Sequence, residues 1–232
     1  MSTNSATTGR CRCASNTWKV EVDLNIVLIH GMGRTPLSML MLSQRLRSKG
    51  HSTKLFGYSP TLESFEPCQQ RLVRFIQRVS ATDPYALIGH SLGCVLIRSA
   101  LTHLHEQPQP PAACFFLAPP SQACKAAKFF ADNPIYRLLM GEMGQLLANE
   151  AFMEALPVPT MPTRVYAGTG GPIGKFSPFG DIPNDGILSV EEVQGALPNP
   201  VILMPSVHTF IMYSRQVADD IAHALTGFEN ST

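Results

Sequence analysis

The chain has 232 residues, 44% of them apolar and 15% charged, with a formal net charge of +1. Such a length fits one domain with a substantial core, and such a composition excludes a disordered chain. The near-neutral balance, with no basic patch standing out, excludes nucleic acid as the main partner.

The first segment, residues 1–15, is rich in Ser and Thr and reads as a flexible tail; residues 16–232 read as a single domain. The tail has no apolar stretch of signal-peptide length, and no later run approaches the length of a membrane span, so a cytoplasmic location is expected. Asn25-Ile26-Val27-Leu28-Ile29 has the continuous apolar character of a buried parallel strand. It runs into His30-Gly31-Met32-Gly33-Arg34, whose glycines let the backbone turn sharply and expose an N–H. Residues 36–49 show helical periodicity ending at Gly50, 52–58 a short strand, and 64–79 a helix with Arg71, Arg74 and Arg78 on a solvated face.

Tyr85-Ala86-Leu87-Ile88 is again strand-like, and Cys94-Val95-Leu96-Ile97 is helix-like. Between them stands Gly89-His90-Ser91-Leu92-Gly93. A strand, then Gly-x-Ser-x-Gly, then a helix is the setting of a nucleophile elbow. Ser91 would occupy the tip of a strained turn, with no room for a β-carbon on either flank. The following helix aims its N-terminus where an oxyanion would develop. The N–H of Leu92 would be one oxyanion donor and the N–H of Met32, in the His-Gly loop, the second.

Further along, 107–111 is a Pro-rich linker and 113–117 a strand. Residues 119–162 are helix-compatible and admit two readings. One is a small helical cap, with Phe129, Phe130, Leu138, Leu139 and Met140 lining an acyl pocket. The other is a plain crossover packed on the sheet. The stretch Gly168-Thr169-Gly170-Gly171-Pro172-Ile173-Gly174-Lys175 lacks the Lys-Ser/Thr ending of a phosphate loop, since Phe176 follows. It reads instead as an approach to Asp185. A last helix is expected over 210–225.

A nucleophilic Ser needs a base, and the base an orienting acid. With this elbow the acid and then the His follow the Ser in the chain. Asp185 lies in Pro183-Asn184-Asp185-Gly186, a turn-rich segment after the strand-like 163–167, with Asp181, Glu191 and Glu192 as rivals. His208 follows the strand-like Val201-Ile202-Leu203-Met204. His30 and His90 adjoin the site inside glycine loops and would tune or wall it. His51, His103, His105 and His223 fall on expected surface helices or turns. Cys94 and Cys114 sit in apolar runs as core residues, and Cys11 and Cys13 have no second ligand pair at suitable spacing. No metal and no cofactor are expected.

The elbow, the His-Gly-x-Gly loop and the Asp185 and His208 segments resemble the α/β-hydrolase family, and most closely its small bacterial lipases and esterases. The resemblance spans about 25–225. It implies an α/β-hydrolase fold, with a mostly parallel central sheet and helices on both faces, as the alternation of strands and helices also suggests. It implies Ser91, Asp185 and His208 as triad, Met32 and Leu92 as oxyanion donors, and a small-molecule ester or acyl substrate, with transient lipid-interface contact allowed. Thioester hydrolysis and acyl transfer use the same machinery, and a non-catalytic binding protein on the same fold is the remaining alternative.

Overall fold

Six short strands form one sheet, with only the edge strand β2 mostly polar: β1 (Asn25–Ile29), β2 (Ser52–Phe56), β3 (Tyr85–His90), β4 (Ala113–Leu117), β5 (Thr163–Gly168) and β6 (Val201–Met204). All neighbours are parallel, in the order β2-β1-β3-β4-β5-β6. The computed structural model describes residues 24–80, 83–104, 109–125, 127, 133–175 and 177–229, without the side chains of 134–139 and 227–229. The expected N-terminal tail lies outside the described residues.

Parallel neighbours require crossovers, and helices supply them: α1 (Leu40–Arg47), α2 (Phe65–Val79), α3 (Leu92–Leu104), α4 (Pro134–Leu146), α5 (Glu150–Ala155), α6 (Val190–Gln194) and α7 (Arg215–Glu229). Side chains alternate across the pleat, so the sheet carries two cores. Val27, Ile29, Leu87 and Phe116 face α2, α3 and α6, through Leu72, Ile76, Val95 and Val193. Ile26, Leu28, Ile88 and Phe115 face α1 and α7, through Leu42, Leu46, Val217 and Ile221. The arrangement is the expected α/β sheet covered on both faces.

The order reverses at β1: the chain builds β2 on one side and then crosses to β3 on the other. A crevice forms outside the C-terminal strand ends at such a switch point. Register places those ends in one row, with Ile29 beside Gly89, His90 beside Leu117, and Gly168 beside Met204.

Four local expectations change. The last helix is two elements: a short 3₁₀ helix, His208–Tyr213, and then α7 from Arg215. The Ser214 hydroxyl accepts from the N–H of Val217 and marks the break. His51 is not on the surface but 6% exposed. Arg71 is half-exposed but also engaged: its guanidinium donates to the Gly57 carbonyl and to Glu63, and lies 4.9 Å over the Phe56 ring. Helix α6 was not expected, although Ser189 and Glu192 form a reciprocal capping box at its start.

Candidate active site

The turn from β3 to α3 sets the geometry. Ser91 has φ of 51°, in the left-handed region that L-residues avoid. Its N–H donates to the Leu117 carbonyl at 2.9 Å, and its own carbonyl accepts from Cys94 at 2.9 Å. The flanking glycines are steric necessities. A β-carbon on Gly89 would stand 2.7 Å from the Cys94 nitrogen, and one on Gly93 would overlap the Ile29 and His30 carbonyl oxygens. Leu92 opens α3, where backbone N–H groups have no intrahelical acceptor. The loop after β1 closes on the same turn: a β-carbon on Gly31 would lie 3.0 Å from that of Ser91.

Asp185 and His208 meet beyond the ends of β5 and β6. His208 Nδ1 donates to Asp185 Oδ2 at 2.7 Å, and the His208 backbone N–H donates to the Asp185 carbonyl at 2.9 Å. The other carboxylate oxygen accepts from the N–H groups of Ile187 and Leu188, at 2.9 and 2.7 Å. Both residues are buried. Asn184 builds the turn that holds them: its side chain accepts from Gly186 and donates to the Pro172 and Ile182 carbonyls. The glycine-rich stretch packs on this turn, since a β-carbon on Gly171 would overlap Asn184. Among the rivals, Asp181 and Glu191 are exposed, and buried Glu192 is engaged by the N–H groups of Ser189 and Lys125.

Among the described residues no hydrogen bond joins the Ser91 hydroxyl to His208. The link between them is His90. Its Nε2 stands 3.0 Å from the His208 carbonyl oxygen, which can only accept, so Nε2 carries the proton. The two rings lie 5.1 Å apart. Burial holds the His90 imidazole well below the ordinary range, and the charges of His208, Arg34 and His30 push the same way. Among the described residues its buried Nδ1 has no hydrogen-bond partner. His30 is likewise lowered by burial; it stacks on Tyr58, whose hydroxyl donates to the His30 carbonyl at 2.7 Å. The sequence placed His30 and His90 beside the site and Asn184 in the Asp185 turn, but gave no sign of the His90–His208 bond or of Tyr58.

Of the expected acyl-pocket residues, Phe129 and Phe130 lie outside the described residues, as do the side chains of Leu138 and Leu139. Met140 is half-buried. Helix α4 bends at Gly141, where φ is 61° and a β-carbon would strike the Thr61 carbonyl. Its Glu142 accepts from the first N–H of α2, at Phe65. The Met32 methyl lies 3.6 Å from where a β-carbon on Gly144 would stand, so the loop after β1 runs beneath α4. No group of side chains suited to a metal ion occurs among the described residues.

Residues 26–222 match the Alpha/beta hydrolase family. Among solved structures, the mature form of a Bacillus licheniformis lipase is similar at 16% identity and a TM-score of 0.60, over 88% of this chain and 92% of that one. The prodiginine-pathway thioesterase RedJ of Streptomyces coelicolor is similar at 16% and 0.58, over 90% and 92%. Phospholipase PlaB of Legionella pneumophila is similar at 12% and 0.65, over 90% of this chain and 64% of that one. These identities carry a likeness of fold alone, and no curated protein matches. With a parallel six-stranded sheet and a family match over most of its length, the chain belongs to the alpha/beta hydrolase family.

Proposed function

We propose that the protein is a serine hydrolase that cleaves carboxylic esters through an acyl-enzyme. The observation that carries this reading is the 2.7 Å bond between His208 Nδ1 and Asp185 Oδ2, on loops beyond the same sheet edge as strained Ser91. With Nδ1 engaged, Nε2 is the ring atom left to accept a proton. His208 removes the Ser91 Oγ proton as that oxygen attacks the ester carbonyl, and Asp185 stabilises the imidazolium. The Leu92 and Met32 N–H groups hold the oxyanion. The imidazolium returns its proton to the departing alcohol. Water, activated by the same imidazole, then frees the acid. The hydrogen bond from the Ser91 hydroxyl to His208 Nε2 forms when substrate fills the site.

The test is labelling with a fluorophosphonate probe, beside hydrolysis of p-nitrophenyl esters and the matching thioesters. Stoichiometric labelling lost in Ser91→Ala, with turnover of esters, supports the reading. An unlabelled protein that binds esters without cleaving them overturns it in favour of a binding protein. Faster thioester turnover moves the substrate class while keeping the mechanism.

A further inference from the structure

The two elements that leave the site on one side turn apolar side chains to solvent. The loop Gly31–Thr35 leads into a 3₁₀ turn, Pro36–Met39, and then α1. Leu37, Leu40 and Met41, spaced i, i+3 and i+4, form one outward stripe there, with Leu37 72% exposed. The second element is the 3₁₀ helix that begins with His208; it packs against both the 3₁₀ turn and α1. Its Phe210 is 55% exposed. Leu62, on the loop after β2 at the same sheet edge, is 87% exposed. Large apolar side chains exposed on the adjoining 3₁₀ turn, α1 and 3₁₀ helix mark a contact surface.

Charge says what that surface meets. From Leu24 to Leu62 the chain has no Asp or Glu, and it carries Arg34, Arg45, Arg47, Lys49 and Lys54. From Val193 to Ala218 there is again no acidic residue. The Arg45 guanidinium donates to the Tyr213 carbonyl, so a cation is fixed at the seam between α1 and the Phe210 helix. Among the described residues, Arg34 and Arg47 have no ion pair, while Lys49 and Arg215 share Asp219 at the far end of α1. Asp219 sits among Arg45, Lys49 and Arg215, so cations outnumber carboxylates around this stripe, which complements a surface that is apolar within and negatively charged at its face.

We propose that this face docks the protein on an anionic lipid surface, so that ester-bearing lipid enters the Ser91 site from the layer and not from solution. The inference rests on the ester-hydrolase reading for its consequence but not for the docking itself. Apolar side chains enter the headgroup region. Arg34 and Arg45, the arginines nearest the stripe in the chain, lie at the level of the lipid phosphates.

The experiment is co-sedimentation of the full chain with vesicles of phosphatidylcholine alone and of phosphatidylcholine with phosphatidylglycerol in equal parts. Binding to the anionic vesicles should exceed binding to the neutral ones on the order of tenfold and weaken as salt is raised. Leu37→Asp with Met41→Asp should lower it on the order of tenfold or more while p-nitrophenyl acetate hydrolysis is kept. Phe210→Ser should act in the same direction. Absence of binding to anionic vesicles, equal binding to both kinds, or binding indifferent to these substitutions overturns the proposal. So does a concentration-dependent dimer that the same substitutions dissolve. Ser91→Ala should bind vesicles like the parent chain. Retained hydrolysis in that variant would overturn the catalytic reading while leaving the docking result to stand.

Discussion

The imidazole of His90 donates to the backbone carbonyl of His208 across 118 positions of sequence, at 3.0 Å. The residue before the proposed nucleophile therefore holds the main chain of the proposed base. Replacing His90 with Ala removes that donor and leaves space beside Gly31. The expected result is a fall in kcat of about 100-fold from misplacement of the base, with KM changed much less. His90→Gln, which keeps an N–H donor, should recover part of the loss. Steady-state kinetics on a short p-nitrophenyl ester reads both parameters, and an unaltered kcat in His90→Ala would remove the positioning role.

The triad assignment predicts a graded series. Ser91→Ala and His208→Ala should each lose about 10⁶-fold in kcat, and Asp185→Asn about 10⁴-fold. Exposed Asp181, changed to Asn, should stay active. An inactive Asp181→Asn beside an active Asp185→Asn would reassign the acid.

Gly93→Ala tests the turn itself. The new methyl would overlap the Ile29 and His30 carbonyls, which are backbone and cannot swing aside. Overpacking of this kind costs about 1–3 kcal/mol or more. A lowered urea midpoint together with lost activity is expected, and an unchanged midpoint would contradict the packing described.

Acid should destabilise the fold through His90 and His30. Burial is the main cause holding both below the unfolded value of about 6.5. Below that pH the unfolded chain takes up protons that the folded chain refuses. The stability these residues contribute is thus present above about pH 6.5 and is lost as pH falls beneath it, at no more than about 1.4 kcal/mol per pH unit for each histidine. Urea denaturation between neutral and acid pH should show this slope, and His90→Gln should flatten it. An equal slope in the variant would rule out His90 as a source.

Strands were readable because burial on both faces demands near-continuous apolar runs; β4 spans Ala113–Leu117, as the run itself indicates. The Asp185 turn was readable for a different reason: Asn184 and Gly186 are turn formers whatever surrounds them. The sequence predicts one last helix where the structure has two elements, because Ile211 and Met212, buried in the core beneath α1, imitate helical periodicity, while the single Ser214 that interrupts it is a weak mark. Neither the burial of His51 nor the His90–His208 bond could be read, since each depends on partners brought close only by the folded sheet. Phe129 and Phe130, outside the described residues, leave the acyl pocket as an expectation from sequence.

Among the described residues strand β6 pairs with β5 alone, yet the residue closing its following loop is His208. Three of the loops that meet at Ser91 hang from strands clasped on both sides, and the fourth hangs from this border. Fraying that begins at the border would carry the imidazole away while the interior is still intact. Heat should therefore silence the protein some degrees before it melts, and cooling from that interval should restore it.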